Sequence, residues 1–233
     1  MKGPKRDSLG KCLRPSNMIY RNYLDNLPEA IHEFIISMDD VEGDGNCGFH
    51  VTAEQLGPFK DENHPVAQGD EVNYIRQRLL QTLRRNRDFY KSMMRGGGDH
   101  GVAHEFISFE RRLHGDAVIT RDHWMQMPIC GFLIAKTFNC VVHSFARAGS
   151  CYTYAPPTKP CNESVKGRRL VISFVQGCHY IGLKLRPGFP IPPLFPLAFW
   201  PVFKENYSMD WCENYATEME LWRSLHPPLP CSL

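Results

Sequence analysis

The chain has 233 residues and a mass of 26.8 kDa, with 42% hydrophobic and 22% charged residues and a net charge of +2. That is enough for one well-buried domain, or one domain plus a tail, and too balanced in charge to point to a nucleic-acid partner. No run of 18 apolar residues occurs and no signal-type run follows the N-terminal charges, so secretion and membrane spanning are not expected and the chain is placed in cytoplasm or nucleus.

Residues 1–26 carry Gly, Pro, Lys and Arg without periodicity and are expected to form a mobile lead-in. In "LPEAIHEFI" (27–35) a proline stands near a helix start and Ile31, Phe34 and Ile35 are apolar, which predicts a short helix docked on the core. After the turn-rich "DDVEGDGN", a helix is predicted from Cys47 to about Leu56, stopped by Gly57 and Pro58. From Glu71 to about Tyr90, Val72, Ile75, Leu79, Leu80 and Leu83 recur at spacings of three and four, an amphipathic helix with its Arg and Gln residues outward. Three glycines from Gly96 to Gly98 break the chain before a helix carrying His104, Ile107 and Leu113. "MPICGFLIAKTF" (127–138) has Pro128 at a first helical position and an almost wholly apolar body, a buried helix.

Strand signals then take over. "CVVHSFA" (140–146), "CYTYA" (151–155), "RLVISFV" (169–175) and "HYIGLKL" (179–185) are rich in β-branched and aromatic residues, and "QG" between the last two marks a hairpin turn. Helices early and strands late predict an α+β layered domain with a small mixed or antiparallel sheet flanked by helices. The domain is expected to span 27–190. A proline-rich segment and a final helix, within 191–233, are expected to pack on it, since Trp211, Tyr215, Met219 and Trp222 share one helical face. The basic groups at Arg84, Arg85 and Arg87, at Arg111 and Arg112, and at Lys166, Arg168 and Arg169 are separated and lack interleaved aromatics, which suits solvated faces. The nine cysteines are odd in number and irregularly spaced, a pattern of free thiols rather than of a disulfide framework.

"GDGNCGFH" (43–50) places Cys47 behind two glycines, an acid and an asparagine, at a predicted helix start. A cysteine there either packs in the core or attacks: a thiol is nucleophilic as thiolate, and a helix N-terminus or a histidinium partner favours that form. Gly43 and Gly45 permit an abrupt turn and leave backbone N–H groups uncovered, the makings of an oxyanion site. Among ten histidines, His179 stands out because it opens a strand directly after the Gly177 turn. It is either a half-buried histidine at a strand end or the base of a Cys/His pair.

"DGNCGFH" (44–50), the helix opened by "DEVNYIRQRLL" (70–80), "HWMQMPICGFLIAKTFNCVVHSF" (123–145) and "CHYIGLKL" (178–185) together resemble the ovarian-tumour-type (OTU) cysteine protease family. The similarity runs over roughly residues 30–190. "GF" after the cysteine and the tail "KLRPGFPIPP" resemble in particular OTU-like proteins associated with transposable elements. The resemblance implies a papain-like fold and a deubiquitinase that cleaves isopeptide bonds at the C-terminus of ubiquitin or a ubiquitin-like modifier. It makes Cys47 the nucleophile, His179 the general base and Asp44 the acid of the site, with Gly45 and Asn46 supporting the loop and the oxyanion. It implies no metal and no cofactor, with ubiquitin conjugates as the partners; a nucleic-acid partner is not expected from the balanced charge, nor a membrane from the lack of an apolar run. The Asp or Asn often found two residues after the histidine is replaced by Ile181. Asp44 supports the site, another side chain orients His179, or the pair works with weak support. A catalytically weak or inactive OTU-fold binding module in a transposon-derived protein is the alternative reading.

Other groupings carry less chemistry. His100 and His104 stand four apart on a predicted helix but lack Cys or Glu partners at zinc spacing. Cys151 and Cys161 flank a proline-rich loop and would pair only under oxidation. His123 and Trp124 are expected to pack near the site.

Overall fold

The computed structural model describes residues 21–61, 64–94, 98–115, 119–147, 150–156, 168–195 and 213–226. Most of the expected lead-in, Cys161 and the Trp211 end of the last predicted helix lie outside the described residues. Strands β1 (Ile35–Asp39), β4 (Val141–Ala146), β5 (Tyr152–Tyr154), β6 (Arg169–Val175) and β7 (His179–Leu185) form one sheet in the order β1-β7-β6-β4-β5. The short strands β2 (Lys60–Asp61) and β3 (His64–Pro65) pair separately. β4 and β6 run parallel and the other neighbours antiparallel. The sheet is therefore mixed, and the domain is α+β with helices on both faces. β4 is covered on both sides, which is why its sequence is a continuous apolar run around His143 rather than an alternation.

Helices α2 (Cys47–Leu56), α3 (Glu71–Arg85) and α6 (Ile129–Phe138) cover one face of the sheet, where Phe49, Leu79, Leu133 and Ile172 meet in one buried cluster. On the other face lie Ile31, Phe145, Ile181 and Trp222, roofed by the short N-terminal helix α1 (Arg21–Leu24), a 3-10 helix (Glu29–Phe34) and α7 (Ala216–Leu225). The stripe expected to pack the last helix is buried at Tyr215, Met219 and Trp222. Ile191 donates its backbone N–H to the Glu218 carbonyl, Thr153 donates its backbone N–H to the Pro193 carbonyl and accepts from the Phe195 N–H, so the segment after Arg186 covers the edge of β5. His143, wholly buried, donates from Nδ1 to the Thr153 hydroxyl, which itself donates to the Pro192 carbonyl. Burial pushes this imidazole down to about 3, so it is a neutral core residue.

Three local expectations differ from the structure. The helix expected over 27–35 gives way at Ile35 to β1, because β7 offers a pairing partner from Ile35 to Asp39 that no local pattern reveals. The long helix expected to reach Tyr90 ends at Arg85 and restarts as α4 (Arg87–Met93). Asn86 turns its side-chain amide back onto the Thr82 carbonyl at 2.8 Å, a local bond that competes with helix propagation. Arg76, expected to face outward with the other arginines of that helix, is 1% exposed. α5 (Gly98–Leu113) and the buried α6 lie where their periodicity puts them, with Asn139 closing α6 in the left-handed region. Among the described residues, no helix is long and apolar enough to cross a membrane.

Candidate active site

Cys47 is the first residue of α2, and the turn before it is built by side chains one to three residues away. The Asp44 carboxylate accepts the Asn46 backbone N–H at 2.8 Å, the Asn46 side-chain amide at 3.1 Å and the His50 ring at 3.2 Å. Burial opposes ionisation of Asp44, but these bonds outweigh it and hold the carboxyl below its ordinary range. Gly45 adopts a φ of +88°, and a Cβ there would lie 2.6 Å from the Ile119 side chain and 2.9 Å from the Trp124 indole nitrogen. Only glycine satisfies both the left-handed backbone and the ring pressed against it. Asn46 then occupies the N-cap position without capping the helix; its side chain is bound to Asp44 and to Arg76 instead.

His179 reaches Cys47 from the far end of the chain because the β6–β7 hairpin is tight. Gln176 and Gly177 both have positive φ, at 55° and 70°, the backbone that suits the right-handed twist of paired strands. β7 therefore begins at His179, paired with Val175. The Tyr180 backbone N–H donates to Cys47 Sγ at 3.3 Å, so this strand brings both an amide and an imidazole to the sulfur. The His179 ring is bonded to Asp40 and to the Cys47 thiol, and these two bonds raise its pKa to about 9 against the opposing effect of burial. Nε2 lies 2.8 Å from Asp40 Oδ1. A carboxylate only accepts, so Nε2 carries the proton and Nδ1 is left to exchange one with the thiol.

Of the acidic residues, it is Asp40 and not Asp44 that bonds to His179; Asp44 is engaged with Asn46 and His50. Asp40 was not singled out from the sequence, and its signal lies in strand register. Asp39 is the last β1 residue paired with β7, opposite Gly182. Asp40 directly follows; continuing that register by one antiparallel step would set it opposite Ile181 and diagonal to His179, whose ring spans the gap to its carboxylate. A carboxylate thus reaches His179 from the extension of the neighbouring strand, while Ile181 is fully buried in the core. The Tyr23 hydroxyl donates to the second Asp40 oxygen at 3.4 Å, and its ring lies beside that of His179.

Cys47 is 7% exposed and opens onto a cleft of about 250 Å³ lined by Trp124, Met125, Met127, Phe174, Cys178 and Tyr180. His123, expected to pack, is buried with its Nδ1 held at Thr120, whereas Trp124 forms the wall of the cleft. The Asn46 side chain binds Asp44 and Arg76 and its backbone N–H is taken by Asp44, so the amides of Cys47 and Gly48, ahead of the first intrahelical bond from Phe49 to Asn46, are the N–H groups at the start of the helix. Arg112, expected on a solvated face, donates to the Trp124 carbonyl at 2.9 Å. Among the described residues, Glu42, Asp44 and His50 are close enough to share a metal ion, but Asp44 and His50 are bonded to each other and to the loop. His104 is exposed.

Cys47, Cys130, Cys140, Cys151 and Cys178 are free thiols. Burial pushes Cys130 up to about 11 and Cys140 up to about 12, so both are inert at neutral pH. Iodoacetamide at pH 7.5 is therefore expected to alkylate Cys47 and the exposed Cys178 well before Cys130 and Cys140, read by peptide mass. Equal modification of all four in the native protein would contradict this arrangement. No protein-family model matches the chain and no curated protein matches it, so the chemistry of the site rests on its own geometry.

Proposed function

We propose that the protein is a cysteine-type deubiquitinase, a thiol hydrolase of the papain-like OTU type acting on isopeptide bonds at the C-terminus of ubiquitin or a ubiquitin-like modifier. The observation that carries this reading is the line from Cys47 Sγ through the His179 ring to Asp40, with Nε2 held 2.8 Å from the carboxylate. The proton shared between Cys47 and His179 rests on His179 Nδ1, and the thiolate of this thiolate–imidazolium pair adds to the scissile carbonyl carbon. The amides of Cys47 and Gly48 face the oxygen on which negative charge develops. Collapse of the tetrahedral species breaks the C–N bond, and the imidazolium gives its proton to the departing lysine amine. Water, deprotonated by the same imidazole, then adds to the thioester; its collapse releases the carboxylate and restores the thiol. Asp40 favours the imidazolium in both halves and fixes its tautomer. The reading as an inactive binding module leans on the apolar residue at 181, and the bond from His179 to Asp40 favours the hydrolase over it.

Ubiquitin carrying a C-terminal alkyne warhead is expected to form a thioether with the native protein, at the peptide containing Cys47. Ubiquitin-like modifiers run in parallel identify the preferred one. A folded protein that forms no adduct with any of them, or forms it at another cysteine, sinks the reading.

A further inference from the structure

One charged side chain lies wholly inside the wall of the site. The Arg76 guanidinium donates from Nε and Nη2 to Asn46 Oδ1 at 3.1 and 2.7 Å, from Nη2 to the His123 carbonyl at 3.0 Å, and from Nη1 to the Arg112 carbonyl at 2.8 Å. Its Cζ lies over the Phe49 ring, 3.9 Å from the ring centre. Burying a cation is unfavourable by several kcal/mol unless its donors are satisfied, and this one spends its donors on three separate segments. Those segments are the turn before the nucleophile, the end of α5 and the 121–124 stretch. Arg112 extends the clamp by donating to the Trp124 and Arg121 carbonyls, and Trp124 is the ring that presses on Gly45 and walls the cleft.

Resting on the thiol-hydrolase reading above, we propose that Arg76 is the positioning residue of this site: its fork locks Asn46, and through it Cys47, to the cleft wall that carries Trp124. The residue bound by the fork immediately precedes the nucleophile, so a shift of the Asn46 side chain moves Cys47 relative to His179. Lysine keeps the charge and cannot reproduce a planar fork that serves three acceptors at once.

Arg76→Lys is expected to lower kcat by about 100-fold with KM changed less than about threefold, the pattern of a misplaced reacting group. Arg76→Ala is expected to regain part of kcat with low, non-denaturing guanidinium and none with methylammonium, whereas His179→Ala regains none with either. A merely structural arginine would shift the melting temperature without that selective rescue. Asn46→Ala approaches the same bond from the acceptor side and is expected to match Arg76→Lys in kcat while still folding. Retention of wild-type kcat in Arg76→Lys or Asn46→Ala overturns the proposal, as does a folded Arg76→Ala that guanidinium leaves unchanged. Cys47 alkylation by iodoacetamide, which needs no ubiquitin, is read in the same proteins and is expected to slow in both variants. If the wild type cleaves no ubiquitin substrate yet Arg76→Lys slows alkylation, only the substrate reading falls; unchanged alkylation sinks the positioning role.

Discussion

Asp40→Asn is expected to lower kcat for a ubiquitin C-terminal amide by about 10²–10⁴-fold, while Asp44→Asn lowers it by less than about tenfold. The carboxylate at 40 accepts from His179 Nε2; an amide there offers an N–H as readily as an oxygen and lets the ring take the tautomer with its proton toward the sulfur, where it is useless as a base. Asp44 supports the turn, and its loss is expected mainly as a drop of about 1–3 kcal/mol in stability, the scale of hydrogen bonds to a charged group. The pH profile separates the two. His179 is held protonated up to about 9 by its bonds to Asp40 and the Cys47 thiol, so the alkaline limb of kcat/KM is expected near pH 9 in the wild type. It should move toward 6.5, the ordinary histidine value, in Asp40→Asn and stay in place in Asp44→Asn. The same pair acts on folding with the sign of a raised histidine: its stabilisation is fully present below pH 6.5 and fades as pH rises through about 9. Equal losses of kcat in the two variants, or an alkaline limb that ignores Asp40, would remove Asp40 from the site.

Trp222→Ala is expected to destabilise the fold by about 3–5 kcal/mol, the usual range for truncating a buried tryptophan. The indole is 8% exposed and meets the Phe145 ring of β4 at 5.9 Å and the His226 ring at 4.0 Å. It is the anchor by which α7 closes the sheet face opposite α2. For a chain of this length about 1 kcal/mol corresponds to 2–4 °C, so the melting temperature should fall by about 6–20 °C. Leu225→Ala, at 47% exposure on the same helix, is the control and should shift it by less than about 2 °C. A Trp222→Ala protein as stable as the control would mean that α7 contributes nothing to the core.

Much of this was legible from residue order alone, wherever the cause of structure is short-ranged. Apolar spacing located α3 and the buried helix α6, β-branched runs located β4 to β7, and the two-glycine turn before Cys47 marked a helix start. These signals are periodicity and turn chemistry, which act over a few residues. Cys47 and His179 stood out for the same reason, each sitting at the mouth of a well-marked element.

The strand β1, the burial of Arg76 and the choice of Asp40 over Asp44 came only with tertiary structure. β1 is a five-residue segment whose backbone is satisfied by β7, some 150 residues away in sequence, and the same pairing carries Asp40 diagonally across from His179. Arg76 falls on a helix position that reads as solvent-facing until the acceptors of three remote segments converge on it. A turn is decided by its own residues, so the motif around Cys47 announces itself; a partner across a sheet is decided by register, and register exists only once the strands have met.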